Sequence, residues 1–288
     1  MNPGNSASKA RWDVLIAPRS RVIELGLSNV WRYRDLVWMF LMRDFIAFYK
    51  QTILGPLWYL IQPTLTAVTY FVVFGKIANI STDGMPPFIF YLSGIVLWSY
   101  FAASLINNAE IFSKNTQLFG KVYFPRLVVP ISVALSGMIA LGIQFLLLIF
   151  ATGFFIFTGA ALRLHWASIA LVPFLVLYTA LLGMGVGLLV SALTVRYRDL
   201  AFATGFVTQL WMFASPVVYP FTQIPEKYQI FFHFNPMTAP IESMRSFLYG
   251  APGVDAWMWV SNTMITSALL LAGLVLFTRA ESTAMDTV

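Results

Sequence analysis

The sequence predicts an all-α integral membrane protein with six transmembrane helices, and three observations predict it. Long apolar stretches run at roughly 57–75, 88–108, 127–158, 167–194, 201–221 and 257–278, and a helix needs about 20 apolar residues to cross the hydrocarbon core. The middles of those stretches carry no charge. Only 10% of the 288 residues are charged and 59% are hydrophobic, whereas a soluble domain usually carries about 25% charged residues. In lipid the backbone must satisfy its own hydrogen bonds, which a helix does.

The elements follow in order. Residues 1–29 are mixed and polar, with Arg11, Asp13, Arg19, Arg21 and Glu24 and no early apolar run, which predicts a cytoplasmic tail rather than a cleaved leader. Residues 30–51 (VWRYRDLVWMFLMRDFIAFYKQ) are apolar-rich but interrupted by charge. At about 100° per residue, Arg32, Asp35, Arg43 and Lys50 fall on one side and Val30, Val37, Leu41, Phe45 and Phe48 on the other. Arg43 and Asp44 sit near the middle and disfavour a span. A transmembrane reading would make seven spans and place the N-terminus outside. The segment is predicted to be an interfacial amphipathic helix, with Trp31, Trp38 and Tyr49 at headgroup depth.

Gly55-Pro56 breaks that helix, Pro56 suits the first turn of span 1, and Pro63 should kink it. Asp83-Gly84 and Pro86-Pro87 mark a short outer loop. Residues 109–123 (AEIFSKNTQLFGKVY) are polar enough to leave the membrane. Glu110 and Lys114 are spaced i,i+4, while Ile111, Leu118 and Val122 share the opposite face. This predicts a short coupling helix on the cytoplasmic surface, and composition alone does not separate a docking element from a solvated loop helix. Phe124-Pro125-Arg126 turns the chain into span 3.

Span 4 carries Gly183, Gly185 and Gly187. They lie inside an apolar helix with no preceding strand, so they are no dinucleotide fingerprint. Gly183, Gly187 and Ser191 form a small-residue stripe against which another helix packs closely. Val195-Arg196-Tyr197-Arg198-Asp199-Leu200 is a tight inner turn. Span 5 ends in Ser215-Pro216-Val217-Val218-Tyr219-Pro220. The long segment 222–256 is too punctuated to span and too rich in Phe, Ile and Met to be a free loop, which predicts short helices at or dipping into the outer surface. The six-helix domain covers 57–279, and a tail follows at 280–288.

Charge fixes the expected orientation. Eight Lys/Arg precede span 1, three lie between spans 2 and 3, two between spans 4 and 5, and one follows span 6. Only Lys76, Arg163, Lys227 and Arg245 fall on the other side. Both termini are therefore expected in the cytoplasm, and the net charge of +6 reflects topology rather than nucleic-acid binding.

Several chemistries are excluded or disfavoured. There is no cysteine, so disulfides and thiolate metal sites are out. His165 and His233 lie far apart near the outer ends of spans. Ion-driven carriers place charge within their spans, whereas the intramembrane polar candidates here are Gln62, Gln144, Gln209 and, near an inner end, Asn107, read as interhelical hydrogen-bond partners. No GxxxxGK followed by Ser or Thr is present, so the chain does not hydrolyse ATP by that route. Aromatic residues make up 16% of the chain. Many in spans 1 and 5 are not placed at an interface, and an aromatic-lined path suits a glycan without needing charge.

Together these pieces resemble the permease subunit of bacterial ABC exporters for cell-surface polysaccharides, the branch that handles O-antigen, capsule and teichoic acid. The resemblance rests on Arg43-Asp44, Tyr49-Lys50-Gln51, Leu54-Gly55-Pro56-Leu57-Trp58, Gln62-Pro63, Lys121 to Phe124-Pro125-Arg126, Arg196-Tyr197-Arg198-Asp199, Ser215-Pro216-Val217-Val218-Tyr219 and Asn235-Pro236-Met237, in that order around six spans. It implies a homodimer that binds two copies of a separate nucleotide-binding ATPase subunit, with ATP and Mg held by that partner and no cofactor in this chain. It implies docking through Glu110, Lys114, Gln117 and Lys121. A cytoplasmic entrance for a lipid diphosphate would use Arg32, Arg43 and Lys50. The glycan path would be lined by Tyr59, Tyr70, Phe74, Trp211, Phe213 and Tyr219, and segment 222–256 would form an outer gate. The substrate would be a polysaccharide on a polyprenyl diphosphate in the bacterial inner membrane. Six spans hardly enclose a glycan-wide passage, which favours a closed symmetric dimer. The alternatives are an ABC permease for a drug or lipid and a membrane scaffold or enzyme without transport.

Overall fold

A computed structural model describes residues 31–50, 52–115, 124–160, 162, 164–197 and 199–285. Every regular element among them is helical. Helix α1 runs Arg34–Lys50. Gly55, at φ +49°, turns the chain through the left-handed region into a 3-10 turn, Gly55–Leu57. Helix α2, Trp58–Tyr70, follows and widens into a π-helix over Phe71–Ile77. Then come α3, Pro87–Ala109, the one-turn α4, Ile111–Lys114, and α5, Val128–Phe157. A 3-10 stretch, Trp166–Leu171, leads into α6, Val172–Thr194. The remaining helices are α7, Leu200–Phe213, α8, Glu226–His233, α9, Thr238–Tyr249, and α10, Ala256–Met285.

Five helical stretches are long and apolar enough to cross a membrane. The sixth expected span is shorter than the sequence predicts. Helix α7 has 14 residues, about 21 Å at 1.5 Å per residue, against a hydrocarbon core of about 30 Å. It stops at Phe213 because Pro216 and Pro220 offer no backbone N–H, and Ala214 to Pro220 continue as non-helical chain. Of the segment expected to form the coupling helix, the described part holds the one-turn α4, and residues 116–123 lie outside the described residues.

Helix α3 is the centre of the bundle. Of its span 78% is buried, against 11% for the span built on α2. Helix α6 packs mainly on α3 and α10, and its glycines explain how. A Cβ on Gly183 would stand 2.8 Å from the Ser104 Cβ, and one on Gly187 would meet the Leu105 carbonyl at 2.7 Å and the Asn108 Cβ. The expected stripe therefore faces α3. Gly185 faces the other way, where its Cβ would lie 2.7 Å from the Leu270 Cα on α10. At one end of the bundle Val37 and Phe40 of α1 join Ile111, Phe124, Leu188 and Phe277 in a second apolar core. That core seats α1 against the bundle by its buried Val37-Phe40-Leu41 face, while Trp38 and Met39 stay exposed.

Candidate functional site

The end that carries α1 holds the charged residues singled out in the sequence. The Arg43 guanidinium pairs with its neighbour Asp44 at 2.7 Å and lies 4.8 Å from the Phe40 ring centre. Phe40 in turn packs edge-on against Phe124 at 5.9 Å. Arg32 and Lys50 are exposed. Glu110 and Lys114 form the expected i,i+4 pair at 2.7 Å, and the Lys114 ammonium also donates to Asn107 Oδ1 at 3.2 Å. The α1 core residues and Ile111 share one cluster, so both charged groups occupy the same end of the molecule. Gln117 and Lys121 lie outside the described residues.

Along the bundle, α2 and α7 expose their outer faces, among them Leu65, Val68, Val72, Phe202, Phe206 and Leu210. They meet where the Tyr70 hydroxyl donates to Met212 Sδ at 3.6 Å. Tyr70 also sits edge-on to Phe74 at 5.5 Å and to Tyr91 at 6.3 Å. Trp211 turns inward, edge-on to Phe101 at 5.1 Å and to Trp98 at 6.4 Å. Phe213 is exposed. Tyr219 is half-buried and its hydroxyl donates to the Phe213 carbonyl at 2.6 Å. Between α2, α3 and α5 lies a cavity of about 390 Å³, whose walls include Tyr59, Gln62, Thr66, Trp98, Ser99 and Gln144. Of the six aromatics expected on a path, Tyr70 packs on Phe74 and meets α7 at Met212, Trp211 turns into the core, Tyr219 bonds the Phe213 carbonyl, and Tyr59 opens on this cavity. Trp211 is also a structural residue.

The opposite end contains the contacts that the sequence did not reveal. Asn235 joins the Asn-Pro-Met and Ser-Pro-Val-Val-Tyr motifs. Its Oδ1 accepts from the Trp211 indole N–H and the Met237 amide, both at 3.1 Å. Its Nδ2 donates to the Ala214 carbonyl and to Ser215 Oγ, both at 2.9 Å. Helix α9 then re-enters the bundle. Arg245 is almost wholly buried. It donates to the Pro216 carbonyl at 2.7 Å, the Val217 carbonyl at 2.9 Å and the Phe90 carbonyl at 3.3 Å. It also pairs with Glu242 at 2.8 Å and stacks 3.6 Å above the Phe90 ring. Glu242 Oε1 accepts from the Phe221 amide at 3.4 Å. These bonds satisfy the carbonyls of the non-helical stretch after α7, the requirement for irregular backbone at membrane depth.

Gly94 makes room for the clamp, since a Cβ there would lie 2.8 Å from Arg245 Nη2. Gly94 is seven residues into α3, so Arg245 reaches about 10 Å below the first residue of that helix. The Tyr178 hydroxyl donates to the Pro236 carbonyl at 3.1 Å and shares a 2.6 Å hydrogen bond with Thr266. This ties the hairpin made by α8, α9 and the turn between them (Glu226–Tyr249) to α6 and α10. A Glu-Arg pair spaced i,i+3 amid Ile241, Met244 and Leu248 is the sequence signal that such a buried clamp offers.

The sequence profile described as ABC-2 type transporter matches residues 35–249 of this chain. Two O-antigen export system permease proteins RfbA of Klebsiella pneumoniae are each 28% identical over 249 residues, covering 86% of this chain and 92% of the relative. The O-antigen export system permease protein RfbA of Myxococcus xanthus is 26% identical over 257 residues, 87% of this chain and 94% of its own length.

Proposed function

The chain belongs to the ABC-2 type transporter family, and from that premise we propose that it is the membrane-spanning subunit of an ATP-driven exporter of a lipid-linked, O-antigen-like polysaccharide. The relatives named as O-antigen export permeases align over most of both chains, and this carries the choice of cargo. The sequence holds no P-loop, so the energy comes from a separate ATPase that binds ATP and Mg.

The geometric observation that carries the reading is the contrast between α3, which is mostly buried, and α2, whose residues are mostly half-buried or exposed. Helices α2 and α7 share one flank, meet at Tyr70 and Met212, and bear most of the aromatics that suit a glycan. A second copy related by a two-fold axis would close that flank into a passage. The excess of Lys and Arg puts the α1 end in the cytoplasm. There Glu110 and Lys114 are offered to the ATPase, and Arg32, Arg43 and Lys50 meet the anionic diphosphate. At the far end the hairpin held by Asn235 and Arg245 forms the outer gate. The ATPase moves this fold through α1 and α4, whose apolar residues share one core with the ends of α5, α6 and α10.

Gene deletion tests the proposal. Loss of surface polysaccharide, retention of its lipid-linked form on the cytoplasmic side and rescue by this chain are the expected result. Undiminished surface polysaccharide after deletion would overturn it and reopen drug or lipid cargo.

A further inference from the structure

The cavity between α2, α3 and α5 has features that packing alone does not need. It lies near the middle of the bundle, since Ser99 and Gln144 fall near the centres of α3 and α5. Gln144 is 8% exposed and Trp98 5%. The Ser99 hydroxyl donates to Gln144 Oε1 at 2.7 Å, which is the interhelical bond that the sequence suggests for this glutamine. That bond uses only the oxygen. The Gln144 amide nitrogen and the Trp98 indole N–H have no hydrogen-bond partner among the described residues, and the exposed Gln62 side chain joins them on the cavity wall.

Unpaired donors in a membrane interior are unfavourable, so a polar occupant belongs there. The volume of about 390 Å³ would take roughly a dozen waters at about 30 Å³ each, and lies in the range of small-ligand pockets. The occupant must present acceptors to two N–H groups and tolerate the Gln62 amide, which both donates and accepts. It must also tolerate the aromatic wall of Tyr59. A carboxylate or phosphate would find no cation here, because the named walls carry no charge. A neutral polyol satisfies every demand, since its hydroxyls accept and donate while its C–H faces lie against an aromatic quadrupole.

We propose that this cavity is a sugar-binding subsite, in which Gln144, Trp98 and Gln62 hydrogen-bond the hydroxyls of one neutral pyranose unit while Tyr59 covers its face. This rests on the polysaccharide-export reading and deepens it. The subsite adjoins the flank shared by α2 and α7, because Met212 forms part of its wall and accepts from Tyr70. It also lies one ring from the outer hairpin. Trp98 touches Trp211 edge-on, and Trp211 is bonded to Asn235.

The absence of cysteine gives a direct test. Ser99→Cys places a single thiol in the cavity at nearly unchanged volume. Native membranes are taken from cells that make the glycan and from cells blocked at its first sugar transfer, and both are alkylated with N-ethylmaleimide. The Ser99→Cys thiol is expected to react severalfold more slowly when glycan is present. An Asn107→Cys thiol, exposed at the end of α3, should react equally in both. Equal labelling of Ser99→Cys overturns the subsite. Trp98→Phe gives a second readout, since it deletes the N–H and keeps an aromatic ring. Appearance of new surface glycan, taken per assembled complex because the smaller ring also loosens the core, should slow by roughly two- to tenfold, the effect of one neutral hydrogen bond. Unaltered export overturns the assignment of Trp98. If gene deletion removes surface glycan but labelling is equal, the subsite alone fails. If deletion leaves surface glycan intact, the export reading fails with it.

Discussion

The Trp211 indole N–H donates to Asn235 Oδ1 at 3.1 Å, joining the last turns of α7 to the hairpin that closes the far end of the bundle. Because Asn235 also holds Met237, Ala214 and Ser215, one side chain fixes where the helix stops and where the chain re-enters. A residue proposed for the glycan path is therefore also a strut of the proposed outer gate.

Asn235→Ala removes the bonds to Trp211, Met237, Ala214 and Ser215 at a buried site. At about 1 kcal/mol for each lost bond, with partial solvent compensation, the variant should be about 3 kcal/mol less stable. Thermal unfolding in detergent should show a clearly lowered midpoint. An unchanged midpoint would mean that the hub does not hold the hairpin.

Arg245→Met leaves Glu242 buried without its cation and frees the Pro216 and Val217 carbonyls. Removing one partner of a buried pair costs about 3–5 kcal/mol. The double variant Glu242→Gln with Arg245→Met should cost less than the sum of the single changes, because the uncompensated charge is gone. Strict additivity in a double-mutant cycle would contradict the clamp.

Gly187→Ala drives a methyl into the Leu105 carbonyl and Asn108 and must part α3 from α6, at about 1–3 kcal/mol for overpacking. Gly142→Ala on α5 meets nothing within 4 Å and should be neutral or stabilising by up to about 1 kcal/mol. Similar midpoints for the two variants would refute the close helix contact.

These cases also show what the sequence makes legible. Apolar length locates five membrane-crossing helices, because the bilayer imposes one length scale, but not where α7 and α10 end. The Gly183-Gly187 stripe and Gln144 as an interhelical bond are readable because small and amide residues have few uses inside an apolar helix. Arg245 and Glu242 are not readable as buried. They sit in a segment too short to span, where charge normally signals solvent, and their burial depends on carbonyls freed about 28 residues earlier. For the same reason the end of α7 is misjudged. The apolar run continues to 221, yet Pro216 breaks the backbone ladder and Arg245 satisfies what it leaves.

Glu110 and Lys114 form an exposed pair that contributes little to folding, about 0.3–0.5 kcal/mol. Glu110→Lys should leave insertion and thermal midpoint intact and reduce the ATPase recovered with the chain severalfold. The swap Glu110→Lys with Lys114→Glu restores the internal pair but not the surface pattern, so it should not rescue recovery. Full rescue would show that only the pair matters and remove both residues from the docking surface.

Phe213 is exposed and its ring is free of the hub contacts that hold Trp211. Phe213→Ala should slow export by a few-fold with no loss of stability, measured as the rate at which pulse-labelled glycan reaches the surface. Normal export would take Phe213 out of the path.

The most direct test of the central claim is affinity purification of this chain from its native membrane under conditions that preserve complexes, with stoichiometry measured by mass. The account predicts two copies of this chain with two copies of a P-loop ATPase. Recovery of the chain without any ATPase would contradict an ATP-driven permease.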